Sequence, residues 1–304
     1  MSQSELSIAI IGEAESLRIH VMAWGTLSGV RIGALVSPEG VAAAELAQTL
    51  PDCAAFLTLD DALASERFSL VDVCLPIGLQ AEAVEISLTQ GIPTLCELPV
   101  GLDRETILRL VVLSEKNAVP LFPALTLRFH PAVRFLKDLL ENDDLGTPVL
   151  THIHLSPTPS YPSPLEAIDL FRYLIQEDVP GEHEQEEIES VSASTTSLPD
   201  RPNPDIHAIQ LRLGNRIGVI TTVARQEGAS NRIEIYGSAG FAQTDLDYGQ
   251  TLYGTALSTI PQTRAESEPA SPLALYSEIA DTLRGLQPAP VSARDLAQAW
   301  EIMG

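Results

Sequence analysis

Residues 11 to 20 read IGEAESLRIH and follow directly on the apolar run SIAI at 7–10. A short β-branched run, a glycine and then a helix-like segment is how a strand turns into the first helix of a nucleotide-binding βαβ unit. The phosphate-cradling pattern G-x-G-x-x-G is met only in part, by Gly12, Ala14 and Leu17. The second glycine of that pattern lets backbone approach a pyrophosphate, and the third lets helix and strand pack closely.

Outward from this stretch, short apolar runs alternate with helix-like segments up to about residue 125. Strands are predicted at 7–11, 30–36, 70–75, 93–96 and 120–123. Between them VAAAELAQTL (41–50), QAEAVEISLTQ (80–90) and DRETILRLVVLSEKNA (103–118) carry apolar residues at three- and four-residue spacing. This order predicts a Rossmann-like, doubly wound parallel sheet over residues 1–125, with a ligand crevice at the carboxyl ends of its strands, near Gly12, Ser37, Pro76 and Glu97. After Arg128 the pattern changes. PAVRFLKDLLEN (131–142) reads as one amphipathic helix. VLTHIHLS, IESVSAST, DIHAIQLRLG, RIGVITTVA, NRIEIYG and FAQTDLD follow as strands, with hairpin chemistry at Gly214-Asn215 and at 237–240. Residues 126–304 are therefore expected to form a second α/β domain with a mostly antiparallel sheet, closed by helices at 271–286 and 293–303.

The chain has 304 residues and a formal net charge of −23, from 41 acidic and 18 basic side chains, so nucleic acid and anionic membrane surfaces are excluded as partners. No leader-like or membrane-spanning apolar stretch occurs, and a cytoplasmic location is expected. Cys53, Cys74 and Cys96 lack metal or redox spacing and are expected as reduced thiols. His152 and His154 share one strand face, an arrangement that more often meets solvent or a partner than a metal, so no metal site is expected.

Several stretches together resemble the glucose-fructose oxidoreductase and inositol dehydrogenase family, Gfo/Idh/MocA. They are VDVCLPIGLQAEAV (71–84), TLCELPVGLD (94–103), LRFHPAVRFLKDLLENDDLGTPVL (127–150), NRIEIYGSAG (231–240) and the closing helix pair at 275–303. The resemblance covers nearly the whole chain and implies an NAD(P)-dependent oxidoreductase acting on a sugar or polyol. It implies cofactor contacts at Gly12, Glu13, Ala14, Ser37, Pro76 and Glu97.

The chain departs from that family where chemistry is expected. TLCELPVGLD resembles the family's C-E-K-P box, with Leu98 in the place of the lysine. LEAIDLFRYL (165–174) resembles the family's G-x-H-x-x-D helix, with Glu166 in the place of the histidine and Asp169 in the place of the aspartate; SPTPSYPSP (156–164) replaces its glycine-rich lead-in. Glu13 and Glu15 add carboxylates to the phosphate turn, each costing about 3 kcal/mol if about 5 Å from a phosphate at an effective dielectric near 20. Ser37, with Glu39 beyond it, stands where a ribose-binding acid is expected and decides between neither NAD nor NADP. The expectation is a non-catalytic family member that binds NAD or NADP weakly or not at all. The alternative is an active oxidoreductase in which Glu97, Glu166 and Asp169 surround a sugar-like substrate. A homodimer or homotetramer is expected through the open C-terminal sheet.

Overall fold

The computed structural model describes residues 5–100, 103–156, 164–175, 188–196, 206–223, 231–258, 260–265 and 273–303. The proline-bearing segment SPTPSYPSP beyond Ser156, up to Pro164, and the acidic stretch at 181–187 lie outside the described residues. Among those described, no helix is long and apolar enough to cross a membrane.

The first half runs β1 Leu6–Gly12, α1 Ala14–Gly25, β2 Val30–Val36, α2 Val41–Ala47, β3 Ala54–Phe56, α3 Leu59–Ser65, β4 Leu70–Cys74, α4 Ile77–Thr89, β5 Thr94–Cys96, α5 Arg104–Asn117 and β6 Leu121–Pro123. Its six strands are parallel in the order β3-β2-β1-β4-β5-β6. The order reverses between β1 and β4, which puts a crevice at the carboxyl ends of those two strands. All five residues of β4, LVDVC, are buried, as in a sheet covered on both faces by helices. The edge strand β3 and helix α3 escaped the sequence reading because β3 is only three residues long and mostly exposed, with no alternation to find.

The second half contains α6 Pro131–Glu141, β7 Pro148–Leu155, α7 Pro164–Ile175, β8 Ser190–Thr196, β9 Ile206–Leu213, β10 Arg216–Val223, β11 Arg232–Gly237, β12 Phe241–Asp245, β13 Gln250–Gly254 and β14 Gln262–Ala265. A 3-10 turn at Thr126–Phe129 precedes α6, which starts with Pro131 behind a His130 cap that accepts from the Ala132 amide. The eight strands run in the order β14-β13-β12-β11-β7-β10-β9-β8, antiparallel except for the β7–β10 pair. Helix α7 packs on one face. A Cβ on Gly218 of β10 would meet the Phe171 ring at 2.4 Å, so glycine there sets how closely helix and sheet approach. Among the described residues no helix covers the opposite face, and strand register aligns Ile217, Leu150, Tyr236 and Phe241 across it in one apolar row.

The chain divides into two compact units, residues 1–125 with 272–302, and residues 126–271. The closing helices α8 Leu273–Leu283 and α9 Ala293–Met303 thus pack with the first unit, whereas the sequence grouped them with the second half. Their apolar faces explain the placement: Leu275, Tyr276, Ile279 and Leu296 are buried, and the Tyr276 ring lies edge-on to Trp24 of α1 at 4.8 Å between centroids.

Candidate functional site

In the first unit the turn between β1 and α1 is a single residue, Glu13, with extended backbone and no side-chain cap on the helix. The first-turn N–H groups of α1 are thus left at the carboxyl edge of β1, where a helix start attracts an anion. Gly12 is required by packing: a Cβ there would sit 2.4 Å from Cys74 Sγ and 2.9 Å from its carbonyl oxygen. The two missing glycines read differently in three dimensions. Leu17 is fully buried, so the place of the third glycine is filled by a side chain that joins the core. Ala14 adds only a methyl group at the first helical position. Glu13 and Glu15 are both exposed. In water the repulsion of a phosphate about 5 Å away falls to about 1 kcal/mol for each, of the order of what the helix start offers an anion. The residues present fit a dinucleotide pyrophosphate.

Around the crevice, Ser37 is buried at the end of β2 and donates its amide to the Phe56 carbonyl. Pro76 caps α4 and is exposed. Glu97 follows β5 with its side chain 46% exposed, and the adjoining Leu98 is only partly covered.

Behind Glu97 lies a group that the sequence reading missed. His20 of α1 is buried, with Nδ1 2.7 Å from Asp72 Oδ2 and Nε2 2.9 Å from Glu97 Oε1. The Trp24 indole donates to the same Asp72 oxygen at 2.7 Å, and Tyr276 Oη lies 3.0 Å from His20 Nδ1. Asp72 Oδ1 is buried with no hydrogen-bond partner. Burial alone would lower the pKa of His20; attraction and hydrogen bonds from Asp72, then Glu97, outweigh it and raise the imidazole to about 10. A signal existed in the sequence, since an aspartate inside the apolar strand LVDVC needs a buried partner. Cys74 and Cys96 are buried free thiols, both pushed up by desolvation.

In the second unit Glu166 and Asp169 are both buried on α7. Glu166 Oε1 accepts from the Leu127 amide at 3.0 Å and the Thr126 hydroxyl at 3.1 Å. Asp169 takes a two-pronged bond from Arg128, at 2.8 Å from Nε and 2.5 Å from Nη2. The turn at 126–129 is thereby anchored to α7, and both carboxylates have structural partners. Desolvation, reinforced by Asp169, outweighs those hydrogen bonds and raises Glu166 to about 7. His152 and His154 stand on the open face, with His152 Nε2 3.3 Å from Thr221 Oγ1 and Nδ1 3.9 Å from Glu234. Among the described residues no group of three or more candidate metal ligands occurs.

Comparisons with known proteins bear on these features. Residues 6–125 match the family model for the oxidoreductase family with an NAD-binding Rossmann fold, GFO_IDH_MocA. Inositol 2-dehydrogenase of Mycolicibacterium gilvum is 30% identical over 264 residues, 81% of this chain and 73% of that protein. Inositol 2-dehydrogenase of Corynebacterium glutamicum (strain R) is 28% identical over 48% of this chain and 47% of its own length. Among solved structures, an oxidoreductase from Agrobacterium radiobacter in complex with NAD+, L-tartaric acid and magnesium superposes with a TM-score of 0.83. It is 16% identical, over 98% of this chain and 94% of that one. A UDP-N-acetylglucosamine 3-dehydrogenase from Acidithiobacillus ferrooxidans superposes with a TM-score of 0.82 at 17% identity, over 98% and 95% of the two chains. At such identities the structural matches establish the fold.

Proposed function

The chain belongs to the Gfo/Idh/MocA oxidoreductase family, and from that premise we propose that it is an NAD-dependent oxidoreductase that oxidises a hydroxyl of a polyol or cyclitol. The observation that carries the reading is the uncapped start of α1 at the strand-order reversal, with Gly12 held against Cys74. The expectation of a non-catalytic scaffold rested on the missing glycines, on crowded carboxylates and on Leu98 and Glu166 standing in the places of the family's lysine and histidine. Leu17 is absorbed into the core and the carboxylates face water, which removes the grounds at the nucleotide turn. The active-oxidoreductase alternative is adopted with Glu97 alone as its reacting carboxylate, since Glu166 and Asp169 are held by structural partners. The matched relatives carry the name inositol 2-dehydrogenase, which makes inositol the first substrate to try.

When bound, the nicotinamide supplies the hydride acceptor. The first-turn amides of α1 would hold the pyrophosphate, and Pro76 and Glu97, at the ends of β4 and β5, would line the nicotinamide side. Glu97 is the base that takes the hydroxyl proton, because its neighbour Leu98 offers neither charge nor proton. Glu166 and Asp169 anchor the 126–129 turn.

The cofactor preference follows from charge. No lysine or arginine occurs between Ile32 and Glu66, and Glu39 is exposed beyond Ser37, so a 2′-phosphate meets no cation there. Titration followed by tryptophan quenching is expected to give saturable NADH binding below about 100 µM, with NADPH at least about tenfold weaker. NADPH binding as tightly as NADH would overturn the preference, and no saturation by either at millimolar concentration would restore the scaffold reading.

The apolar row Ile217, Leu150, Tyr236 and Phe241 on the open sheet face supports a second copy of this chain as its cover. Sedimentation is expected to show a dimer or tetramer that Tyr236→Asp dissociates; a wild-type monomer at micromolar concentration would remove the proposal.

A further inference from the structure

His20 is bonded in a way that the reaction outlined above does not require of a core residue. Each ring nitrogen faces a carboxylate, Nδ1 at 2.7 Å from Asp72 and Nε2 at 2.9 Å from Glu97. A neutral imidazole has one N–H, so one of these two short contacts would set a lone pair against an acceptor-only oxygen. A doubly protonated ring donates in both directions and satisfies both contacts.

The surroundings fix that ring. The titratable groups bonded to it are Asp72 from β4, Glu97 after β5 and Tyr276 from α8. Desolvation pushes the phenol of Tyr276 well above its ordinary range, so it stays neutral while His20 titrates; the buried thiols of Cys74 and Cys96 do the same. Trp24 stacks edge-on against Tyr276 and donates to Asp72, which closes a rigid mount around the imidazole. One end of the resulting line, Asp72, is fully buried; the other, Glu97, is half-exposed beside the crevice.

We propose that His20 is a positioning residue: it ties one oxygen of the Glu97 carboxylate to the buried Asp72 and so leaves the other oxygen, in a fixed direction, for the substrate hydroxyl. The inference rests on the reading of Glu97 as the base. Without the tie, a glutamate at the edge of a crevice samples several rotamers, and a misplaced base slows proton transfer far more than it weakens cofactor binding.

The test combines spectroscopy with kinetics on the full chain. Nitrogen-15 spectra of histidine-labelled wild-type protein are expected to show His20 with both nitrogens protonated at pH 8. In Glu97→Gln, whose site is half-exposed and tolerant, the titration midpoint of His20 is expected to fall by about one pH unit or more. A neutral His20 at pH 8, or a midpoint indifferent to Glu97→Gln, overturns the tie, whether or not the protein oxidises inositol. His20→Asn is expected to lower kcat for NAD+ reduction with inositol about 10- to 100-fold while the NAD+ dissociation constant stays within about threefold. An unchanged kcat overturns the positioning role. An intact tie in a wild-type protein that shows no turnover overturns the oxidoreductase reading instead. Should His20→Asn fail to fold, the spectra of wild type and Glu97→Gln decide the matter alone.

Discussion

An Asp72→Ala variant is expected to lose about 3–5 kcal/mol of unfolding free energy at pH 7, read from the shift of its urea midpoint. Asp72 is fully buried and its Oδ2 accepts from both the His20 ring and the Trp24 indole. Truncation removes the buried acceptor of the Trp24 N–H and the buried one of the two carboxylates that hold the His20 cation, and leaves a cavity in their place. The variant also changes the pH response. With its pKa raised to about 10 from an ordinary 6.5, His20 contributes stability that is fully present below about pH 6.5 and is lost as pH rises through about 10. Wild-type stability therefore declines across that alkaline window, and the decline is expected to flatten in Asp72→Ala. A loss below about 1 kcal/mol, with an unchanged alkaline slope, would show that the Asp72–His20 pair is not the tie described here.

Glu97→Gln is expected to lower turnover with NAD+ and inositol by a factor of about 10² to 10⁴, the range that a positioned general base contributes. The amide keeps the shape and still accepts from His20, so folding and NADH affinity are expected to change little. Glu166→Gln serves as the contrast. Glu166 is committed to the Leu127 amide and the Thr126 hydroxyl and, with its pKa raised to about 7, is partly protonated at neutral pH. Its replacement by glutamine is expected to alter turnover by less than about tenfold, since an amide oxygen can accept the same two bonds. A larger effect at Glu166 than at Glu97 would move the base to α7.

Much of this arrangement is legible in the residues. The run SIAI into Gly12 and the buried strand LVDVC are short, β-branched apolar runs bounded by turn residues, and β10 alternates with period two, so each is recognisable as a strand. What escaped were elements too short to show a period, such as β3, β13 and β14, and the 3-10 turn at 126–129 whose partner lies some 40 residues on. The placement of Gly12, Ser37, Pro76 and Glu97 at or just beyond strand ends was legible, because strand ends in an open parallel sheet converge on one edge. Exposure was not legible. Whether Glu13 and Glu15 face water, and whether Leu17 enters the core, depends on the helix phase relative to the sheet, and that decided how strongly a phosphate is repelled. The His20 tie draws on residues 20, 72, 97 and 276, brought together by sheet order and by the return of α8 to the first unit. No local spacing encodes such a contact.

The most direct test of the oxidoreductase reading is the near-ultraviolet absorbance of NADH in a mixture of the wild-type protein, NAD+ and inositol, with other cyclitols and polyols tried in turn. The account predicts a steady rise with wild type, its near-disappearance in Glu97→Gln and its persistence in Glu166→Gln. Saturable NADH binding with no NADH formed from any of these substrates would contradict it.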